Sequence, residues 1–175
     1  MVVALAKAFR VLDRVIYRKK KKKCLDFLLK QLRRQDGRLL TGYRDGEARN
    51  VAYLDDYSFL LWALLEMQTN APNAENLAKA RDLADEMIRL FWNGADCAFY
   101  LTGADSEPLL IRPREWVDAA LPSGSSVAVR MLIRLSKMTG QENYREIARN
   151  MLNLMAGVLM RSPMAYTFLL TAVNE

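Results

Sequence analysis

The chain has no histidine and only two cysteines, Cys24 and Cys97, placed far apart. Without histidine the commonest general base is missing, and so is every Ser–His or Cys–His nucleophile pair. The same gap, with no Cys-x-x-Cys pair, leaves no zinc ligand set of the usual kind, so neither a metal nor a cofactor is expected. Any catalysis must rest on carboxylates, tyrosine, lysine or arginine. Long uncharged runs are lacking too, and Lys7 and Arg10 interrupt the one apolar stretch at the N-terminus. Neither a membrane span nor a signal-peptide layout is expected, which points to a soluble cytoplasmic protein with no membrane partner.

What is present is ordinary for a globular chain. Its 175 residues, 51% hydrophobic and 26% charged, suffice for one domain with a real core, residues 1–175. The net charge of +6 comes from one place, the six consecutive basic residues Arg18 to Lys23. The remainder is neutral. A nucleic-acid-binding domain usually spreads its basic charge over a face, so nucleic acid is not an expected partner. A solvated helix face accounts for the run more simply.

Helical stripes dominate the chain. Val2 to Leu12 carries one, and a second helix runs from about Ile16 to Arg34 with the basic run as its first half. Carrying that apolar stripe backwards reaches Lys20 or Lys21. At least one lysine must therefore lie along the packed side with its methylenes covered. Arg38–Tyr43 and Arg49–Tyr53 flank Asp45-Gly46 and suggest a short hairpin. Leu54 to Met67 is apolar nearly all round, whereas Asn73 to Trp92 has one apolar and one charged side. Cys97–Leu101 and Leu109–Arg112 suggest two extended pieces. Pro122 disfavours helix at Leu121, and a serine can then cap a helix opening near Gly124 and reaching Met138, with Gly140 as its left-handed stop. Glu142–Leu159 is again striped, and Ser162-Pro163 starts a last helix to Val173.

Helices apolar all round belong inside, and those with one polar side belong outside. Their alternation predicts two concentric layers of helices. The spacing between successive first helices, ending near Leu12, Thr69 and Thr139, is too long for ordinary two-helix solenoid repeats. Alternating inner and outer helices with extended connections resemble the (α/α)6 toroid of six-hairpin glycosidases and N-acylglucosamine 2-epimerases. That resemblance implies the fold class all-α, a partial (α/α)6 toroid with short extended hairpin connections.

Particular stretches sharpen this: Gly37-Arg38-Leu39-Leu40 with Tyr43-Arg44-Asp45-Gly46, Tyr53-Leu54-Asp55-Asp56-Tyr57-Ser58-Phe59-Leu60, Arg112-Pro113-Arg114-Glu115, and Pro122-Ser123-Gly124-Ser125-Ser126-Val127. In order and content they resemble the thioredoxin-domain-containing proteins of the YyaL type, related to spermatogenesis-associated protein 20. That resemblance implies the last part of a six-hairpin glycosidase-like toroid, without the family's thioredoxin-like domain. The chain departs from the family pattern at Asp55, where glutamate is usual, and at Ser125, where asparagine is usual.

In such toroids the pocket lies where the inner-helix starts and their preceding loops converge. The resemblance thus implies a site built from Tyr53, Asp55, Asp56 and Tyr57 before one inner helix and Arg112, Glu115, Trp116, Asp118, Ser123, Gly124 and Ser125 before another. A sugar-like small molecule is the expected ligand, with Asp56 and Asp118 as an acid–base pair and the rest as binding residues. Acids at helix starts also serve as caps that compensate the dipole. Epimerase chemistry is less suited to a chain without histidine. The alternative is a non-catalytic helical scaffold, whose inner helices are covered by self-association, by a partner chain or by a further part of the same protein.

Overall fold

The computed structural model describes residues 1–175, and its element order follows directly from the alternation of apolar patterns. Helices α1 (Val2–Leu12), α3 (Leu54–Asn70), α5 (Gly124–Thr139) and α7 (Thr167–Val173) pack side by side as an inner row. Helices α2 (Val15–Gln31), α4 (Ala74–Phe91) and α6 (Glu142–Arg161) each fold back on the inner helix before them. A two-stranded hairpin, β1 (Leu40–Arg44) and β2 (Glu47–Val51), joins α2 to α3. A shorter one, β3 (Trp92–Asn93) and β4 (Ala98–Phe99), follows α4.

Burial explains the two layers. Helix α3 buries Leu54, Tyr57, Leu60, Leu61, Trp62, Ala63, Leu64 and Leu65, so no side of it can face water for long. Helix α5 is buried similarly through Val127, Ala128, Val129, Met131, Leu132 and Leu135. In contrast, α4 buries a single stripe from Ala80 to Phe91, and α6 buries only Tyr144, Ala148, Met151 and Met155. The partial toroid expected from the pattern is what forms.

Local signals set the helix ends. The Ser123 hydroxyl accepts from the Ser126 amide at 3.2 Å and starts α5, while Gly140 at φ 73° closes it. Asp45 and Gly46 both hold positive φ, as a two-residue hairpin turn between right-twisted strands demands. In α2, Lys21 is the lysine that turns inward. It is 3% exposed, with its ammonium 4.4 Å from the Phe9 ring centre.

Three expectations need correction. Leu109–Arg112 forms no strand. Ala98–Phe99 pairs back with Trp92–Asn93 across the Asn93-Gly94 turn instead. Pro108 and Pro113 flank that segment and offer no amide to a ladder. It is held by Arg112, which donates to the carbonyls of Thr102 and Leu90 and lies over the Tyr100 ring. The last helix also starts later than expected. Pro163–Tyr166 is a 3-10 turn, and α7 opens at Thr167, where a carboxylate from elsewhere in the chain takes its first free amides. Finally, Tyr57 is fully buried and serves the core. Its hydroxyl donates to Glu86 at 2.8 Å and accepts from the Leu39 amide and from Arg38, both at 3.1 Å. Arg38 is itself buried and also bonds Asp105 and the Ala52 carbonyl, tying the segment before β1, the end of the first hairpin, α3 and the loop after β4 together. No helix is long and apolar enough to cross a membrane.

Candidate functional site

The starts of α3 and α5 meet at one end of the inner row, roofed by β1 and by the loop after β4. Tyr53 precedes α3, and the Asp56 carboxylate accepts the Tyr53 amide at 2.9 Å, which satisfies one donor at the helix start. Between them, Asp55 turns away from the cap and towards α5. Its Oδ1 is enclosed and lies against Gly124, and a Cβ at position 124 would overlap that carboxyl group. Gly124 is thus required here by space alone.

Electrostatics single out Asp55. Burial pushes its carboxyl above the usual 3.8, and the negative charges of Glu115 and then Asp56 push the same way, while the Gly124 amide opposes them. Around it lies a pocket of about 310 Å³ lined by Thr41, Tyr53, Asp55, Asp56, Leu101 and Glu115. A larger apolar pocket of about 660 Å³ adjoins it, with Thr41, Asp55 and Asp56 on both. One half-buried acid held towards its protonated form, beside one exposed acid, suits hydrogen bonding to neutral hydroxyl groups and proton exchange with them. No group of three or more Cys, Asp or Glu side chains is placed to hold a metal ion.

Of the residues expected at the site, Tyr53, Asp55, Asp56 and Glu115 come together, with Gly124 directly behind them. Ser125 lies beside Gly124 and is buried, its hydroxyl without a partner. Asp118 does not join them. Its Oδ1 accepts the Ser123 amide at 2.9 Å, its Oδ2 accepts the Phe168 and Leu169 amides at 2.8 and 3.3 Å, and it lines a separate pocket beside Thr167 and Thr171. Asp118 caps α7. Asp56 and Asp118, expected as a pair, thus lie in different pockets and both serve helix starts. Ser123 is the cap of α5, Trp116 packs on the core and accepts the Ser123 hydroxyl at its carbonyl, and Arg112 clasps its own loop. Thr41 and Leu101 line the pocket without having been expected there. Each sits in or beside an extended connection, and only the expectation that these connections lie over the helix starts could have indicated them.

No protein-family model matches the chain. It is 31% identical over 154 residues to an uncharacterized protein of Caenorhabditis elegans, covering 84% of this chain and 21% of that one. It is 26% identical over 123 residues to rat spermatogenesis-associated protein 20, covering 70% and 16%, and 30% identical over 117 residues to the mouse protein, covering 65% and 14%. These matches support the resemblance to the spermatogenesis-associated protein 20 family. The chain spans about a fifth or less of the length of these relatives. Among solved structures, the cellobiose 2-epimerase of Bacillus thermoamylovorans superposes with a TM-score of 0.68 at 17% identity, over 87% of this chain and 41% of that one. At that identity the match concerns the fold, and it agrees with the layered helices: the chain has the fold of part of an (α/α)6 toroid.

Proposed function

We propose that the pocket between the starts of α3 and α5 binds a carbohydrate, with Asp55 and Glu115 as its working carboxyl groups. The observation that carries this reading is the enclosed Asp55 carboxyl, pushed up by burial and by Glu115, on a pocket that also presents Tyr53 and Asp56. A sugar offers hydroxyls that both donate and accept, which suits two carboxyl groups side by side, one of them, Asp55, raised by burial and by the charge of Glu115. The exposed Tyr53 ring supplies an apolar face against which a pyranose can lie. The superposed toroid belongs to an enzyme named for a sugar, cellobiose, which accords with a ligand of this class. With no histidine in the chain, any proton transfer at this pocket rests on the carboxyl groups.

Calorimetric titration of the chain with glucose, mannose, N-acetylglucosamine and cellobiose tests this. Binding of at least one sugar is expected, weakened more than tenfold in Asp55→Asn and in Glu115→Gln. Absence of binding to all four, or binding that both variants leave intact, would rule the pocket out.

A further inference from the structure

We propose that the turn between α1 and α2, with the exposed side of α2, is a docking surface for an anionic lipid bilayer. Four aliphatic side chains stand in solvent at this one corner: Val11 is 75% exposed, Leu12 53%, Val15 59% and Ile16 52%. Arg14 lies among them, and Arg18, Lys19, Lys20, Lys22 and Lys23 follow on α2, all exposed. Helical spacing puts Ile16, Lys20 and Lys23 along one line, and Val15, Lys19 and Lys22 along the next. An apolar tip therefore continues directly into a cationic face.

Nothing else in the molecule uses these charges. None of the six exposed cations is paired with a carboxylate. The nearby acids do not neutralise them. Asp13 sits in the turn, Asp26 lies further along α2, and Glu75 of α4 is already held by Lys79 at 2.6 Å. The arrangement also opposes local stability, because the first turn of α2 has no acid and its first half is cationic, where the helix dipole disfavours positive charge. Lys21 alone escapes, folded over Phe9.

The chemistry selects the partner. A purely ionic nucleic-acid site would gain from interleaved exposed aromatics and has no use for four solvated aliphatics. A bilayer of anionic lipid matches both halves: the aliphatics enter the boundary between headgroups and acyl chains, and the lysines stay at the phosphate level. The absence of a membrane-crossing helix is consistent with attachment at the surface. Composition alone gave no reason to expect a membrane partner, because this surface consists of exposure and juxtaposition.

Co-sedimentation of the chain with vesicles tests the inference. Vesicles containing about one-third phosphatidylserine should pellet the protein, vesicles of phosphatidylcholine alone should not, and raising the salt to about 0.5 M should release it. Replacing Lys19, Lys20, Lys22 and Lys23 by Gln should weaken partitioning by roughly fivefold per lysine. Val15→Ser with Ile16→Ser should also weaken it several-fold while leaving heparin binding unchanged. All six positions are exposed, so the variants keep the native circular dichroism spectrum. No pelleting with anionic vesicles at low salt would overturn the inference. So would serine variants that pellet as well as the parent chain, or tighter binding to duplex RNA than to the vesicles.

Discussion

Gly124 lies directly against the carboxyl group and backbone of Asp55, so the start of α5 meets the start of α3 with no side chain of its own in between. The contact includes the Asp55 backbone, which cannot swing aside as a flexible side chain would. Gly124→Ala should therefore destabilise the protein by about 1–3 kcal/mol, the usual cost of forcing atoms into a filled space. Urea unfolding measures this. Gly157→Ala is the control, because nothing lies within contact of a Cβ there, and it should be neutral or slightly stabilising.

The Asp55 carboxyl gives the pocket a pH dependence of defined sign. Its folded value lies above the ordinary 3.8, so between the two values the folded state holds the proton more tightly than the unfolded chain. Stability from this group is greatest in acid and is lost as pH rises through that window. Asp55→Asn should flatten this part of the profile and leave the protein no less stable at neutral pH. Unfolding midpoints of both proteins across the acid range measure the difference.

Glu66 behaves in the opposite way. Burial alone would push its carboxyl up, but the hydrogen bond and charge of Arg134, with a bond from Trp62, outweigh burial and hold it below the ordinary 4.5. Its contribution is present at neutral pH and is lost as pH falls through the lowered value. Arg134→Met leaves the buried carboxylate without its principal partner and should cost about 3–5 kcal/mol at neutral pH, with the loss shrinking in acid. Thermal unfolding at two pH values separates these outcomes.

Asp118 is expected to matter for stability and not for ligand binding. It takes the Phe168 and Leu169 amides and the Ser123 amide, so Asp118→Ala should cost about 1–2 kcal/mol and speed hydrogen exchange at Phe168 and Leu169. Sugar binding at the Asp55 pocket should persist in that variant. Its complete loss would mean that the ligand sits nearer to α7.

Much of this fold is local and therefore legible. The stripes of α4 and α6 and the all-round apolar patterns of α3 and α5 express a periodicity of 3.6 residues that needs no knowledge of neighbours. Ser123 and Gly140 end α5 through hydrogen bonds and a backbone angle within a few residues of themselves. An inward lysine at position 20 or 21 was predictable for the same reason, as the continuation of a stripe through a charged run, and the structure selects Lys21. Four of the residues named in the family motifs, Tyr53, Asp55, Asp56 and Glu115, line one pocket.

The rest depended on chain segments distant in sequence. Asp56 and Asp118 look alike as acids near helix starts, yet one caps its own helix and the other caps α7, about fifty residues further on. Tyr57 follows the two acids of the motif, but the helical turn carries it inward to Arg38 and Glu86. Residue types and periodicity determined the alternating layers, the helix ends and the basic run. Tertiary structure alone decided that Asp55, and not its neighbour, faces Gly124 and Glu115, and that four aliphatics stand in water beside the lysines. Burial and electrostatic coupling are properties of what surrounds a group, and those surroundings come from segments that no local pattern brings together.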